Sequence, residues 1–298
     1  MMETKSLFAT IVGKPNVGKS SLLNMILNQK VSIVSHKPQT TRNKIAGILT
    51  EENIQIVFLD TPGFLKAQSN LDKYMIKEID DACFGVDLFI HVIEAGKKFG
   101  ATDDTIIRKI KSSNLPAILV INKIDLLNNK EKLIPQISEY CNLAKYECVV
   151  PISCKRSDGR DTLLNEIKKL TKPSVFFYPS DEVTDKSERF LVSEIIREKM
   201  LKCLNEEVPH GTAVYVESMK KRENLELIDI FTTIYCDKEG HKSIIIGKNG
   251  DMLKKIGINS RKDIENMLGN KINLKIWVKV KEGWKDKVNM LKSLGYSI

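Results

Sequence analysis

Apolar residues in the first half of the chain gather into short runs, at residues 7–12, 54–59, 86–93, 117–121 and 148–152. Each run is bounded by polar turns and is long enough for a buried strand, and the gaps between runs can hold crossover helices. Residues 45–50 form one more run, joined to 54–59 by the short polar turn Glu51-Glu52-Asn53, which predicts a hairpin. The pattern describes a mostly parallel sheet covered by helices on both faces, with one antiparallel edge strand. Beyond it, residues 187–203 have helical periodicity, with Ser187 as N-cap and Phe190, Leu191, Ile195, Met200, Leu201 and Leu204 as the apolar positions. Strand patterns follow at 212–219 and 227–235. A short helix starting at Ser243, a glycine turn at 247–250, a helix to Leu268 and a strand at 271–280 complete the order. Residues 171–185, TKPSVFFYPSDEVTD, read as a linker whose aromatic centre packs against one of the domains.

The length of 298 residues suits two domains, and 42% apolar against 29% charged residues is ordinary globular composition. No apolar run approaches the ~20 residues of a membrane span, and the run at 7–12 is too short for a signal-peptide core. Six cysteines without a CxxC pair read as free thiols in a reducing cytosol and argue against zinc. The net charge of +9 is uneven: residues 238–298 hold 14 Lys and Arg against 6 Asp and Glu, whereas residues 174–237 hold 8 against 13. A basic end of this kind points to a polyanion, nucleic acid before membrane.

Ligands on parallel sheets sit at the carboxyl ends of strands. After the first strand comes Gly13-Lys14-Pro15-Asn16-Val17-Gly18-Lys19-Ser20, which fits GxxxxGK[ST] and is followed by Ser21 in the opening turn of a helix. Gly13 and Gly18 let the backbone wrap a phosphate, Lys19 bridges β- and γ-phosphates, and Ser20 ligates Mg²⁺. Asp60-Thr61-Pro62-Gly63 closes another strand, with Asp60 holding Mg²⁺ through water and the Gly63 N–H sensing the γ-phosphate. Asn122-Lys123-Ile124-Asp125 supplies the base reader: Asp125 accepts from two guanine donors that adenine lacks, Asn122 braces the loop, and the Lys123 stem covers the ring. Ser153-Cys154-Lys155 ends the last strand, where backbone N–H groups reach the guanine O6. GTP and GDP are the expected ligands. His91 and His210 read as structural groups, and Arg42 as an exposed residue able to neutralise phosphate charge.

With Ser35–Arg42, which contains Pro38-Gln39-Thr40-Thr41-Arg42, as switch I, these motifs resemble the Era family of ribosome-assembly GTPases, within the translation-factor-like class. The resemblance implies that Thr41 meets Mg²⁺ in the triphosphate state, with Thr40 as the alternative. Phe64 follows the Asp-Thr-Pro-Gly stretch where Ras-like enzymes carry a water-orienting Gln, so slow turnover of ~10⁻⁴–10⁻² s⁻¹ is expected. Asn16 suggests a K⁺ ion beside the β,γ-bridge, against the plainer reading that it caps the loop.

In the second half, the order helix, strand, strand, helix, GxxG, helix, strand matches a KH domain of type II, an α+β fold. Gly247-Lys248-Asn249-Gly250 would let the backbone approach RNA phosphates closely, with Lys248 adding charge. Trp277 and Trp284 read as core and tail packing. The expected domains are a GTPase domain at 1–172, a linker at 173–186, and a KH domain with a basic C-terminal tail at 187–298. The resemblance implies small-subunit ribosomal RNA and the small ribosomal subunit as partners. It also implies action in small-subunit assembly, as a cytoplasmic monomer with scope for peripheral contact at the inner face of the cell membrane. The competing reading is a signalling GTPase whose C-terminal domain binds a protein.

Overall fold

The computed structural model describes residues 3–64, 67–205, 208–223 and 226–296. By their contacts the residues form two compact units, one of residues 1–66 and 75–185, the other of residues 67–74 and 186–298.

The first unit is built on a mainly parallel sheet. Its strands are β1 (Lys5–Val12), β2 (Ile45–Glu51), β3 (Ile54–Asp60), β4 (Leu88–Glu94), β5 (Ala117–Asn122), β6 (Cys148–Pro151) and the two-residue β7 (Lys172–Pro173). Their order is β2-β3-β1-β4-β5-β6; β2 is antiparallel to β3, and β7 pairs with the start of β1. Helices α1 (Lys19–Leu27), α2 (Asn70–Ala82), α3 (Ala101–Ser113), α4 (Leu133–Leu143) and α5 (Arg160–Lys169) link the strands. Strand β5, AILVIN, is buried at every position, as a central parallel strand packed on both faces must be. Ile11, Phe58, Ile90, Val120 and Ile152 join Leu22, Ile26, Leu164 and Ile167 in one core layer.

The predicted linker does not hang free. The Thr4 hydroxyl donates to Ser174 O at 2.7 Å, Gln55 Oε1 accepts from Phe177 N (2.8 Å) and Tyr178 N (3.1 Å), and Gln55 Nε2 donates to Tyr178 O. Farther on, Ile48 N donates to Val183 O and Ala46 N to Asp185 Oδ1. Phe177 meets Phe8 edge to face at 4.9 Å, yet it and Val175 remain more than half exposed.

The second unit contains α6 (Glu188–Cys203), β8 (Thr212–Lys221), β9 (Leu227–Cys236), α7 (Glu239–Ile246), α8 (Asp251–Leu268), β10 (Lys271–Val280) and α9 (Val288–Ser293). Its sheet runs β10-β9-β8, with β10 parallel and β8 antiparallel to β9. Ile230, Ile234 and Cys236 of β9 turn to one face, where they bury Val192, Ile196, Met200, Ile245, Ile256 and Ile264. Helix α7 begins four residues before the expected Ser243. The Ser243 hydroxyl donates to Glu239 O one turn back, so a residue that reads as a cap is spent inside the helix. On α6 the Ser187 cap forms with Phe190 N. Glu194 and Arg197, polar in the pattern, are buried there as an ion pair at 2.6 Å.

Candidate functional site

The P-loop joins β1 to α1 through left-handed backbone at Asn16 (φ 64°) and Gly18 (φ 104°). Gly18 is obligatory on two counts, since a Cβ there would also strike the Asn122 amide. Gly13 is packed as tightly, against Val92 O. The Lys19 ammonium is buried and donates to Gly13 O (3.1 Å) and Lys14 O (3.0 Å); burial lowers its pKa to about 8, with Asp60 opposing. Lys14 itself pairs with the buried carboxylate of Asp103 on α3, an anchor for the P-loop that no motif signals.

At the start of α1 three side chains converge. Ser20 Oγ lies 2.8 Å from Thr41 Oγ1 and donates to Asp60 Oδ2 at 2.6 Å. Ser32, which belongs to no motif, donates to the same Asp60 oxygen at 2.8 Å, and its backbone is held by the Asn24 side chain. Burial pushes the Asp60 carboxyl above the usual range, opposed by the Ser20 bond and by Lys19. Its other oxygen, Oδ1, is buried and has no hydrogen-bond partner among the described residues. Two hydroxyls and a buried carboxylate with spare lone pairs are the donor set that a hard divalent cation prefers. Thr40, by contrast, turns its hydroxyl to Lys37 O at 2.6 Å.

The base end is organised by Asn122. Its Nδ2 donates to Val17 O (2.9 Å), and its Oδ1 accepts from Lys123 N (2.7 Å) and Cys154 N (3.1 Å), so one buried amide ties together the P-loop and both base loops. Ser153 Oγ donates to Asp125 Oδ1 at 2.6 Å; that bond, more than nearby Arg156 and Lys155, holds the Asp125 carboxyl below its usual range. Lys123 is left-handed, and its ammonium reaches Glu94 at 2.6 Å. Burial raises the Cys154 thiol to about 12, so its backbone N–H is the useful group.

A cleft of about 590 Å³ runs between these two ends. It is lined by Asn16, Gly18, Lys19, Ser20, Ser21, Thr41, Gly63, Asn122, Lys123, Asp125, Cys154 and Lys155 of the sequence-predicted set, and also by Leu126 and His36. Asn16 Nδ2 donates to His36 O at 2.8 Å, joining the P-loop to switch I. Gly63 abuts Pro15, where a Cβ would come within 2.8 Å. Phe64 packs into an apolar cluster with Lys109 at 5.9 Å from its ring, and it offers no group to a water. Arg42 differs from expectation: it is 1% exposed, folded into the unit. A run of polar switch residues gives no sign that a guanidinium will be buried, because burial depends on partners elsewhere in the chain. His91 donates to or accepts from Tyr146 Oη at 2.8 Å inside the core.

In the second unit, Gly247 (φ 75°) and Gly250 (φ 82°) flank a left-handed Asn249 between α7 and α8. A Cβ on Gly247 would meet Met252 at 2.7 Å, whereas at Gly250 nothing lies within 4 Å, which leaves its backbone open to a ligand. Lys248 and Asn249 are exposed beside it. Trp284 is core, its Nε1 donating to Gly211 O at 3.0 Å, but Trp277 is not: it is 44% exposed and stacks on Phe231. The alternation of β10 explains the error, because Ile276 and Val278 face the helices and Trp277, between them, must face away.

A family described as "50S ribosome-binding GTPase" matches residues 8–123, and a KH domain family matches residues 207–285. GTPase Era of Clostridioides difficile (strain 630) is 46% identical over 293 residues, covering 98% of this chain and 99% of that protein. Two solved structures superpose along the chain. One is a variant of Era from Aquifex aeolicus bound to GDP and AlF4⁻, with 36% identity, TM-score 0.95, and coverage of 99% of this chain and 100% of that one. The other is Era in complex with MgGDPNP and nucleotides 1506–1542 of 16S ribosomal RNA, with 36% identity, TM-score 0.94 and the same coverage.

Proposed function

Given that this chain belongs to the Era family of GTPases, we propose that it binds ribosomal RNA of the small subunit and uses slow GTP hydrolysis to time a step in small-subunit assembly. The observation that carries this reading is the pairing, in one chain, of a guanine-nucleotide cleft with an unobstructed GxxG turn at Gly247–Gly250. The RNA-bound relative, alike over 99% of the chain, supports it. Residues 1–172 form the nucleotide domain in this reading, 173–186 the connection, and 187–298 the RNA domain.

Asp125 reads guanine N1–H and the exocyclic amine, held in aim by Ser153, while the Cys154 and Lys155 backbone faces O6 and Asn122 keeps both loops in place. Ligand entry closes Asp125 from water, and adenine would leave it unpaired. Lys19 exchanges its carbonyl partners for phosphate oxygens, whose charge raises its pKa again. Ser20 and Thr41 would hold Mg²⁺ directly and Asp60 through water, at the spare Asp60 oxygen. Bound there, Mg²⁺ neutralises charge between the β- and γ-phosphates. Asn16 would help to hold a K⁺ ion, which would add charge beside the bridge. Gly63 reports the γ-phosphate through its N–H, and Phe64 leaves the attacking water unpositioned, hence slow turnover. In this reading the protein works as a cytoplasmic monomer with peripheral contact at the inner face of the cell membrane. No helix among the described residues is long and apolar enough to cross a membrane.

The test is RNA crosslinking in cells with the GTP-bound protein, followed by sequencing, paired with RNA titrations over a range of salt. Enrichment of small-subunit rRNA and a steep salt slope are expected. Crosslinks to no RNA, with a protein captured at the second unit instead, would refute the assembly reading in favour of a signalling GTPase.

A further inference from the structure

The face of the β8-β9-β10 sheet turned away from α6, α7 and α8 is not an ordinary solvated surface. Trp277 of β10 and Tyr215 of β8 flank Thr233 of β9 in one cross-strand row, and they remain 44% and 41% exposed although Thr233 beneath them is fully covered. Phe231, two residues before Thr233 on β9, stacks on Trp277 with ring centroids 5.8 Å apart and planes 20° apart. Lys275 lies 5.6 Å above the Phe231 ring. Two rings on neighbouring strands plus a third across the sheet give a platform about 10 Å wide, from the usual strand spacing.

The charges around the rings are arranged to leave a positive field. Lys271, Lys275 and Lys279 recur every fourth residue along β10, about 13 Å from one to the next and about 26 Å from first to last, and all are exposed, although Lys271 pairs with Glu265 of α8 at 3.6 Å. The two carboxylates on the same face are each held by local donors. Glu217 accepts from Thr233 Oγ1 at 2.6 Å and pairs with Lys279 at 3.5 Å. Asp229 accepts two bonds from Arg222 and one from Asn273, which hold its carboxyl down to about 2. Lys220 lies opposite Asp229 on β8 and is exposed. Cations thus outnumber carboxylates around the rings, and the carboxylates stay ionised and occupied with their neighbours.

We propose that this outer sheet face is a second RNA surface, on which bases of a single strand stack against Trp277 and Tyr215 while the β10 lysines neutralise its phosphates. Stacking of bases on exposed rings inside a basic frame is the sequence-tolerant mode of single-strand binding. An apolar protein partner fits less well, because it would have to desolvate the lysines that flank the rings. The surface is distinct from the GxxG turn, which lies on the helical side of the same sheet. The proposal adds to the RNA-binding reading above and rests on it.

The experiment uses the full chain and a labelled 12-nucleotide single-stranded oligouridylate, with binding followed by anisotropy and by tryptophan fluorescence. Of the two tryptophans Trp277 is the exposed one, so stacking should quench it and leave the buried Trp284 signal. Four proteins are compared: wild type, Gly250→Asp, Trp277→Leu and Lys275→Gln. Gly250→Asp should bind more weakly yet retain the quench. Trp277→Leu, which keeps apolar packing on Phe231, should lose the quench and bind ~5-fold to ~100-fold more weakly with an unchanged melting temperature. Lys275→Gln should flatten the log–log salt slope by about 0.7. Wild-type affinity in Trp277→Leu, or no quench on saturation of the wild type, would overturn the second surface while leaving GxxG binding intact. If the wild type bound no oligouridylate at all, the second surface would fall, while the RNA reading beneath it would stand or fall with the crosslinking experiment.

Discussion

Replacing Asn122 by alanine removes one buried amide and with it the partner of three backbone groups: Val17 O, Lys123 N–H and Cys154 N–H. A buried backbone group left without a partner costs about 1–3 kcal/mol. Water can reach those groups that border the cleft, so a total of ~3–5 kcal/mol is a fairer sum than three full penalties. At about 2–4 °C per kcal/mol for a unit of this size, the ligand-free first unit should melt roughly 6–20 °C lower. Nucleotide affinity should fall as well, since binding must then order loops that Asn122 held in place beforehand; ~2–3 kcal/mol corresponds to about 30–150-fold. Asn122 bonds to the P-loop and the base loops and not to the γ-phosphate side of the cleft, so GDP and GTP should weaken together. The assay is thermal unfolding without ligand, followed by fluorescent-GDP and fluorescent-GTP titrations on the same preparation. A melting point within 2 °C of wild type together with affinity within threefold would refute the reasoning. So would a loss confined to GTP.

Asp125→Asn should weaken GTP and favour xanthosine triphosphate, because the amide can donate to the xanthine oxygen where guanine carries its amine; equal competition by ATP and GTP in the wild type would show the base pocket is misassigned. Hydrolysis should need Mg²⁺ and run faster in K⁺ than in Na⁺ at matched ionic strength if Asn16 helps to seat the ion, and equal rates would dismiss that role. Gly250→Asp puts a side chain and a negative charge where φ is 82° and nothing lies within 4 Å, so structured-RNA affinity should drop by several-fold to a hundredfold while nucleotide affinity and basal hydrolysis stay near wild type; simultaneous loss of both ligands would contradict the division into two sites. Burial holds the His91 pKa at about 3, far below its usual 6.5. The unfolded chain therefore takes up this proton first, so the contribution to stability is intact above pH ~6.5 and is lost as pH falls toward 3, by up to about 1.4 kcal/mol per unit. Urea midpoints of His91→Phe between pH 7 and 4 should show a flatter acid limb than wild type, and parallel limbs would reject the assignment.

The nucleotide cleft was legible because its motifs are local and ligand chemistry dictates them: a phosphate needs Gly13, Gly18 and Lys19 within one turn of chain, and guanine needs a carboxylate such as Asp125. What escaped the sequence depends on distant partners. Ser32 reads as any loop serine until Asp60 is brought against it from β3. Lys14 reads as a variable P-loop position until Asp103 arrives on α3. Arg42 reads as exposed because polar residues surround it in sequence, and Trp277 as core because aromatic residues usually are; neither the fold around Arg42 nor the outward parity of Trp277 is visible without the strand register. Helix α7 starts four residues before Ser243 because an extended Lys238 begins it without a side-chain cap, a start that leaves no mark in the sequence.

The segment after β7 has a bearing on how the chain can be divided. In the sheet order β2 is the outermost strand, and residues 183–185 occupy the backbone groups along its outer edge through Ile48 N, Ala46 N and the bridge between Gly47 and Thr184. An N-terminal fragment ended at residue 172 would therefore expose a strand edge bearing free donors and acceptors, which is a template for another copy to pair with. It would also take from the buried Gln55 amide its Phe177 and Tyr178 partners, leaving only Thr50 among the described residues. Such a fragment should self-associate, and the same fragment extended through Asp185 should not. The stretch that composition marks as a connector is, for the first unit, its guard against aggregation.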